Sequence, residues 1–152
     1  MSNLIHDNNT TISELTKKLA TTLTERGLRL TTAESCTGGN LAVALCAEEN
    51  TAEFYDVGMV VFSDAAKERI LGVRHETIER FTAVSEQTVT EMAAKIRDIA
   101  EADIGVAISG YAGPEGGDDG TAAGTVCFGW NIRGQTETRT VLFSGEIGRA
   151  SC

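Results

Sequence analysis

A chain of 152 residues has the size of one domain and can bury roughly two-thirds of the surface its unfolded form exposes, so it needs no disulfide or metal to hold a core. A formal net charge of -9 argues against nonspecific nucleic-acid binding, which draws most of its affinity from Lys and Arg on phosphates, yet it leaves room for a small phosphorylated ligand held by backbone N–H groups. The four cysteines, Cys36, Cys46, Cys127 and Cys152, lack C-x-x-C or metal-type spacing, no apolar run approaches the ~18 residues of a membrane span, and no signal-peptide pattern opens the chain. A cytoplasmic protein with reduced thiols, no metal, no cofactor, no membrane and no nucleic-acid partner is expected.

Residues 1–10 are polar and patternless and read as a disordered tail, with one domain over 11–152. Thr11 and Glu14 make a T-x-x-E capping box, after which Ile12, Leu15, Leu19 and Leu23 recur at helical spacing up to Gly27. A short strand is expected over 28–33, then a tight polar loop, Glu34-Ser35-Cys36-Thr37-Gly38-Gly39, and a buried helix over 41–47.

A second strand, 57–62, feeds a helix capped by Ser63 that carries Lys67 and ends near Gly72. Ser85 caps the next helix, with Val89, Met92, Ala93, Ile96 and Ala100 on one face, and residues 104–109 form the strand after it. Residues 110–120 hold five glycines and Pro114, the only proline; strands over 125–131 and 138–143 follow, joined around Gly134. Helices alternating with short apolar strands, and a late hairpin, define an α/β protein: a three-layer α/β/α sandwich around a mostly parallel sheet with an antiparallel edge hairpin. Only nine residues follow Phe143, so a truncated or altered C-terminus is expected.

Ligands of open α/β sheets bind where loops leave the carboxyl ends of strands, and the segments 34–39, 63–67 and 110–120 occupy such places. Ser35, in a strand-to-helix turn, suits an acyl-transfer nucleophile near amides that could hold an oxyanion, although an ordinary helix cap fits the same residue. The histidines offer it no base: His6 lies in the tail and His75 in a charged segment, Arg74-His75-Glu76. A lysine serves as base when desolvation favours its neutral amine, and Lys67 is placed for that role, though by local pattern a solvated surface lysine fits as well. The loop beginning Gly110-Tyr111-Ala112-Gly113-Pro114 could approach a ligand closely, but it lacks the G-K-[ST] of a P-loop and carries Glu115, Asp118 and Asp119, so a plain turn remains open.

Five ordered blocks carry a family resemblance: Thr31-Thr32-Ala33-Glu34-Ser35-Cys36-Thr37-Gly38-Gly39; Phe62-Ser63-Asp64-Ala65-Ala66-Lys67 with Gly72-Val73; Ala83-Val84-Ser85-Glu86; Ile108-Ser109-Gly110-Tyr111-Ala112-Gly113-Pro114-Glu115-Gly116-Gly117; and Gly124-Thr125-Val126. Over about 13–145 the chain resembles the CinA C-terminal domain family, also known as the nicotinamide-nucleotide amidase family. The resemblance implies a serine amidohydrolase of pyridine-nucleotide recycling that converts nicotinamide mononucleotide to nicotinic acid mononucleotide and ammonia. Ser35 matches the family nucleophile and Lys67 its basic lysine. Thr37, Gly38, Gly39, Ser63, Ser109, Gly110 and Gly113 are the expected substrate contacts, and the family's tendency to dimerise implies a homodimer.

The chain departs from the family pattern at Glu49-Asn50-Thr51 (usually Gly-Ser-Ser), at Phe62-Ser63-Asp64 (usually Tyr-Ser-Asn), at Ala122-Ala123-Gly124-Thr125 (usually Pro-Val-Gly-Thr), and after Gly145, where the family continues into an arginine-bearing helix. These departures motivate a second reading, a non-catalytic paralogue that keeps the pocket for nucleotide binding or regulation. A third, an interaction protein without a pocket ligand, sits poorly with five glycines in one eleven-residue loop.

Overall fold

In a computed structural model, residues 11–144 are described. The tail expected over 1–10 and the altered ending expected after Gly145 lie outside the described residues.

Five strands, β1 (Leu30–Glu34), β2 (Tyr55–Val60), β3 (Ile104–Gly110), β4 (Thr125–Ile132) and β5 (Gln135–Leu142), form one sheet in the order β2-β1-β3-β4-β5. β1 runs parallel to both neighbours, with Leu30 opposite Ile104 and Glu34 opposite Ile108, while β3, β4 and β5 pair antiparallel. Arg133 and Gly134, both at positive φ (52° and 94°), close the β4–β5 hairpin, a geometry whose twist suits paired strands. The α/β sandwich with a parallel centre and an antiparallel edge is thus the architecture observed.

The helices are α1 (Ile12–Arg26), α2 (Asn40–Cys46), α3 (Thr51–Phe54), α4 (Asp64–Ala66), which runs on into a π-helical turn Lys67–Leu71, α5 (His75–Phe81) and α6 (Glu86–Ala100). α6 crosses one face of the sheet and touches all five strands. Its Val89, Met92, Ala93 and Ile96 are fully buried against Ala33, Ala107 and Cys127. It lies close because Gly129 has no side chain: a Cβ there would sit 2.7 Å from the Val89 carbonyl oxygen. On the other face Ala20 and Leu23 of α1 and Leu45 of α2 pack with Leu30, Phe54 and Tyr55.

α1 begins at the expected capping box, with Thr11 Oγ1 accepting from the Glu14 N–H at 3.2 Å and the Glu14 carboxylate accepting from the Thr11 N–H at 3.2 Å. The face it buries is not the expected one. Thr16, Ala20 and Leu23 point inward, whereas Ile12, Leu15 and Leu19 are exposed. Thr16 is accommodated because its hydroxyl donates to the Ile12 carbonyl and to the Glu48 carboxylate, which removes the penalty of burying it.

Strand boundaries moved in a way that matters for the site. β1 runs through Glu34, which therefore belongs to the sheet rather than to the loop, and β2 ends at Val60, so both Phe62 and Ser63 lie beyond it. α3 and α5 are short helices that the sequence pattern did not single out.

Candidate active site

β1 and β2 are parallel neighbours whose following segments go to opposite faces of the sheet, β1 to α2 beside α1, and β2 to the turn and helices packed with α6. Such a divergence opens a crevice at the carboxyl ends of the two strands. Ser35 enters it from β1, and Phe62 to Lys67 enter it from β2.

Ser35 follows the last β1 residue, and its N–H donates to the Ile108 carbonyl of β3 at 3.0 Å, so the sheet's bonding holds it in place. The Gly38 N–H returns to the Ser35 carbonyl at 3.0 Å, closing a turn in which Gly38 and Gly39 adopt φ of 59° and 101°. Those angles are strained for any residue with a Cβ, which accounts for the Gly38-Gly39 pair. α2 then starts at Asn40, with Gly39 as an N-cap that offers no side-chain hydrogen bond. Ser35 is thus not the cap that its type and place allowed.

Ser63 caps α4, accepting from the Ala66 N–H at 3.0 Å, and one turn later Lys67 enters the π-helical turn. Single π turns are frequent at functional sites because the extra residue re-aims a side chain. Here Lys67 is 1% exposed, opposite to the solvated lysine that the local pattern also allowed. Its Nζ donates to Ser35 Oγ at 2.9 Å and to the Phe62 carbonyl oxygen at 2.9 Å, and Ser35 Oγ in turn donates to the same carbonyl at 3.4 Å. Burial pulls the Lys67 ammonium below its ordinary pKa of 10.5, against the opposing pull of Asp64 and Cys36. A buried lysine amine beside a serine hydroxyl is an arrangement that can pass a proton between them.

The remaining residues expected at the site divide. Thr37 is buried and gives its hydroxyl to the Glu34 carboxylate at 2.6 Å. Gly38 commits its N–H to the turn itself. Gly110 abuts the Ser35 turn: a Cβ on it would stand 3.1 Å from Cys36 Sγ and 2.9 Å from the Thr125 carbonyl oxygen. Ser109 turns away, donating to the Ala83 carbonyl at 2.8 Å and tying β3 to the segment before α6. Around Gly113 the nearest atom to an added Cβ is the Glu115 carbonyl oxygen, at 4.0 Å.

A cleft of about 430 Å³ is lined by residues including Asp64, Thr82, Ala83, Tyr111, Asp118 and Asp119, with neither Ser35 nor Lys67 in its lining. Asp64 stands three residues before Lys67 and Tyr111 follows Gly110. Burial pushes the Tyr111 hydroxyl up, and Asp119 and Asp64 reinforce the shift. Among the described residues no group of three His, Cys, Asp or Glu is placed to hold a metal ion, no helix is long and apolar enough to cross a membrane, and Cys36, Cys46 and Cys127 form no disulfide.

Sequence reading missed the Phe62 carbonyl, since a main-chain acceptor leaves no residue-type signal. It also missed Tyr111 and Glu34, which were visible only as members of a loop.

A parallel-centred α/β sheet thus brings a serine and a buried lysine together beyond the ends of two adjacent strands. The family model of the CinA C-terminal domain matches residues 12–151, and the chain belongs to that family. It is 54% identical over 136 residues to Protein YdeJ of Escherichia coli K12, covering 90% of this chain and 79% of that protein. It is 40% identical over 136 residues to the nicotinamide-nucleotide amidohydrolase PncC of the same organism, covering 89% of this chain and 82% of that one. A solved competence or damage-inducible protein from Enterobacter asburiae is 83% identical, with a TM-score of 0.90 over 91% of this chain and 87% of that chain.

Proposed function

We propose that this chain is an amidohydrolase in which Ser35 and Lys67 deamidate nicotinamide mononucleotide to nicotinic acid mononucleotide and ammonia. The observation that carries this reading is the 2.9 Å contact between the Lys67 amine and the Ser35 hydroxyl, both withdrawn from solvent. Desolvation raises the neutral fraction of Lys67, and the neutral amine accepts the Ser35 proton as Oγ attacks the carboxamide carbon. The tetrahedral oxygen takes its donors from the turn amides; with the Gly38 N–H committed to Ser35, those of Thr37 and Gly39 are the ones assigned to it. Lys67 then returns the proton to the departing amine, releasing ammonia and leaving an acyl ester on Ser35. A water that gives its proton to Lys67 cleaves the ester, and that proton goes back to Ser35. The resemblance to PncC supports the nucleotide substrate.

The test is ammonia release from nicotinamide mononucleotide by the purified protein, with Ser35→Ala as control. Turnover that disappears in Ser35→Ala supports the reading, and no turnover by cleanly folded protein at high concentration rejects it. We propose in addition that the protein works in the cytoplasm as a homodimer without cofactor, membrane or nucleic acid; a monomer in sedimentation would remove the dimer from this picture. A second reading, nucleotide binding without hydrolysis, is motivated by the altered Phe62-Ser63-Asp64 segment. Calorimetry separates the two: tight binding without turnover supports the second, and no binding at all rejects it.

A further inference from the structure

Glu34 is 1% exposed, and its carboxylate accepts three hydrogen bonds: from the Thr37 hydroxyl at 2.6 Å, the Leu41 N–H at 2.9 Å and the Ala42 N–H at 3.0 Å. Its main chain is held as well, the Glu34 carbonyl accepting from the Val61 N–H of the segment leaving β2 at 2.9 Å. Ser35, the next residue, donates to Ile108 of β3. The nucleophile turn is therefore fastened on three sides, to β3, to the end of β2, and across its own span to Thr37 and α2. Only the last fastening runs through a side chain. Hydrogen bonds to an ionised acceptor are roughly twice as strong as neutral ones, and three donors converging on one carboxylate leave it a single rotamer.

We propose that Glu34 is the positioning residue of this site: by gripping Thr37 and the first turn of α2 it fixes the turn that aims Ser35 Oγ at Lys67 and aligns the Thr37 and Gly39 amides. It touches none of the reacting atoms and acts through Thr37 and the turn. The inference rests on Ser35 being the nucleophile. Shape alone does not replace it, since a glutamine of the same size has one carbonyl oxygen for these donors and turns an NH₂ toward the third. A displacement of about 1 Å at a reacting group can cost ~100-fold in rate, so a small relaxation of the turn is enough to be seen.

The experiment is Glu34→Gln with Thr37→Val as a milder companion that removes one of the three bonds and keeps the turn assembled if the first variant fails to fold. On nicotinamide mononucleotide, kcat is expected to fall at least ~10-fold in Glu34→Gln and by less in Thr37→Val, with KM within about twofold, because alignment rather than ground-state binding is lost. The midpoint of the pH profile is expected to stay put, since Asp64 and Cys36, not Glu34, are the charges that act on Lys67. Unchanged kcat in the folded variants, a rise in KM alone, or a loss that tracks only the unfolded fraction would overturn the proposal. Labelling of Ser35 by a fluorophosphonate reads the same alignment without the nucleotide. If the wild-type protein labels at Ser35 but does not turn over, the amidase reading fails while Glu34 is still decided: labelling at least ~10-fold slower in the variants supports it, and equal labelling refutes it. A wild-type Ser35 that does not label sinks both.

Discussion

Lys67 and Ser35 are 32 positions apart in the chain, yet the lysine Nζ lies 2.9 Å from the serine Oγ in a setting that water barely reaches. Because burial is the largest influence on this lysine and favours the uncharged amine, the pH dependence of turnover should report it. The value of kcat/KM is expected to rise with pH through a midpoint below 10.5, the ordinary lysine value, and to level off once Lys67 is neutral. Lys67→Met should lower kcat/KM by ~10²–10⁴, the usual contribution of a general base, and should remove that limb of the profile. A wild-type profile with no rising limb below 10.5, or a limb that Lys67→Met leaves in place, would show that another group supplies the base.

The same burial has the opposite sign for stability. Where the folded-state pKa is depressed, the unfolded chain binds more protons between the two pKa values, so stability should increase as pH rises from the folded value of Lys67 toward 10.5. Below 10.5 the burial of this amine opposes folding, and Lys67→Met, which fills similar space without a titratable group, is expected to raise Tm at pH 7 while lowering activity. Thermal melts of both proteins at pH 7 and pH 10 check this: the gap between them should narrow at the higher pH. A variant that melts lower at both pH values would mean that the bonds to Ser35 and Phe62 outweigh the desolvation.

Much of this fold was legible in local pattern because local rules and tertiary packing agree there. α6 has a Ser85 cap and an apolar face that is buried as its spacing says, and Gly27, Gly72 and Gly134 stop or turn the chain where expected. α1 misled because Thr16, a polar residue, is turned inward by a hydroxyl partner, Glu48, far away in sequence. The site was legible only as separate loops. Nothing local distinguishes Lys67 from a surface lysine, since its burial comes from a π-helical turn and from a carbonyl acceptor, Phe62, that any residue could have supplied. The five-block family resemblance joined Ser35 to Lys67 where spacing could not. Glu34 escaped notice because its role depends on β1 extending one residue further than its hydrophobic pattern.

Gly110 links the Ser35 turn to the end of β3. An added methyl would approach the Thr125 carbonyl oxygen and Val126 Cγ2 at 2.9 Å each and Cys36 Sγ at 3.1 Å, and two of these three neighbours belong to the paired strand β4. Gly110→Ala is therefore expected to cost ~1–3 kcal/mol, the usual penalty of overpacking, and to displace Cys36 and with it Ser35. Urea unfolding gives the first quantity and the rate of Ser35 labelling the second. Full stability with full labelling would show that the turn yields freely, contrary to the fastening described for it.

The last turn of α6 offers a gain far from the site. Glu101 caps the helix with φ 52° and ψ 42°, its N–H reaching the carbonyls of Arg97 and Asp98, and the Ala102 N–H bonds back to Arg97 at 3.1 Å. This is the left-handed ending that glycine adopts without steric cost, whereas a residue with a Cβ loses ~1–2 kcal/mol there. The Glu101 side chain is exposed, so little packing is given up by removing it. Glu101→Gly should stabilise the fold by about 0.5–1 kcal/mol after the greater freedom of glycine in the unfolded chain is set against the relief. Activity should be unchanged, because the helix end lies at the opposite end of β3 from Gly110 and the Ser35 turn. A shift of the urea midpoint upward with the slope unaltered would establish the effect, and a downward shift would show that Glu101 makes compensating contacts through its side chain.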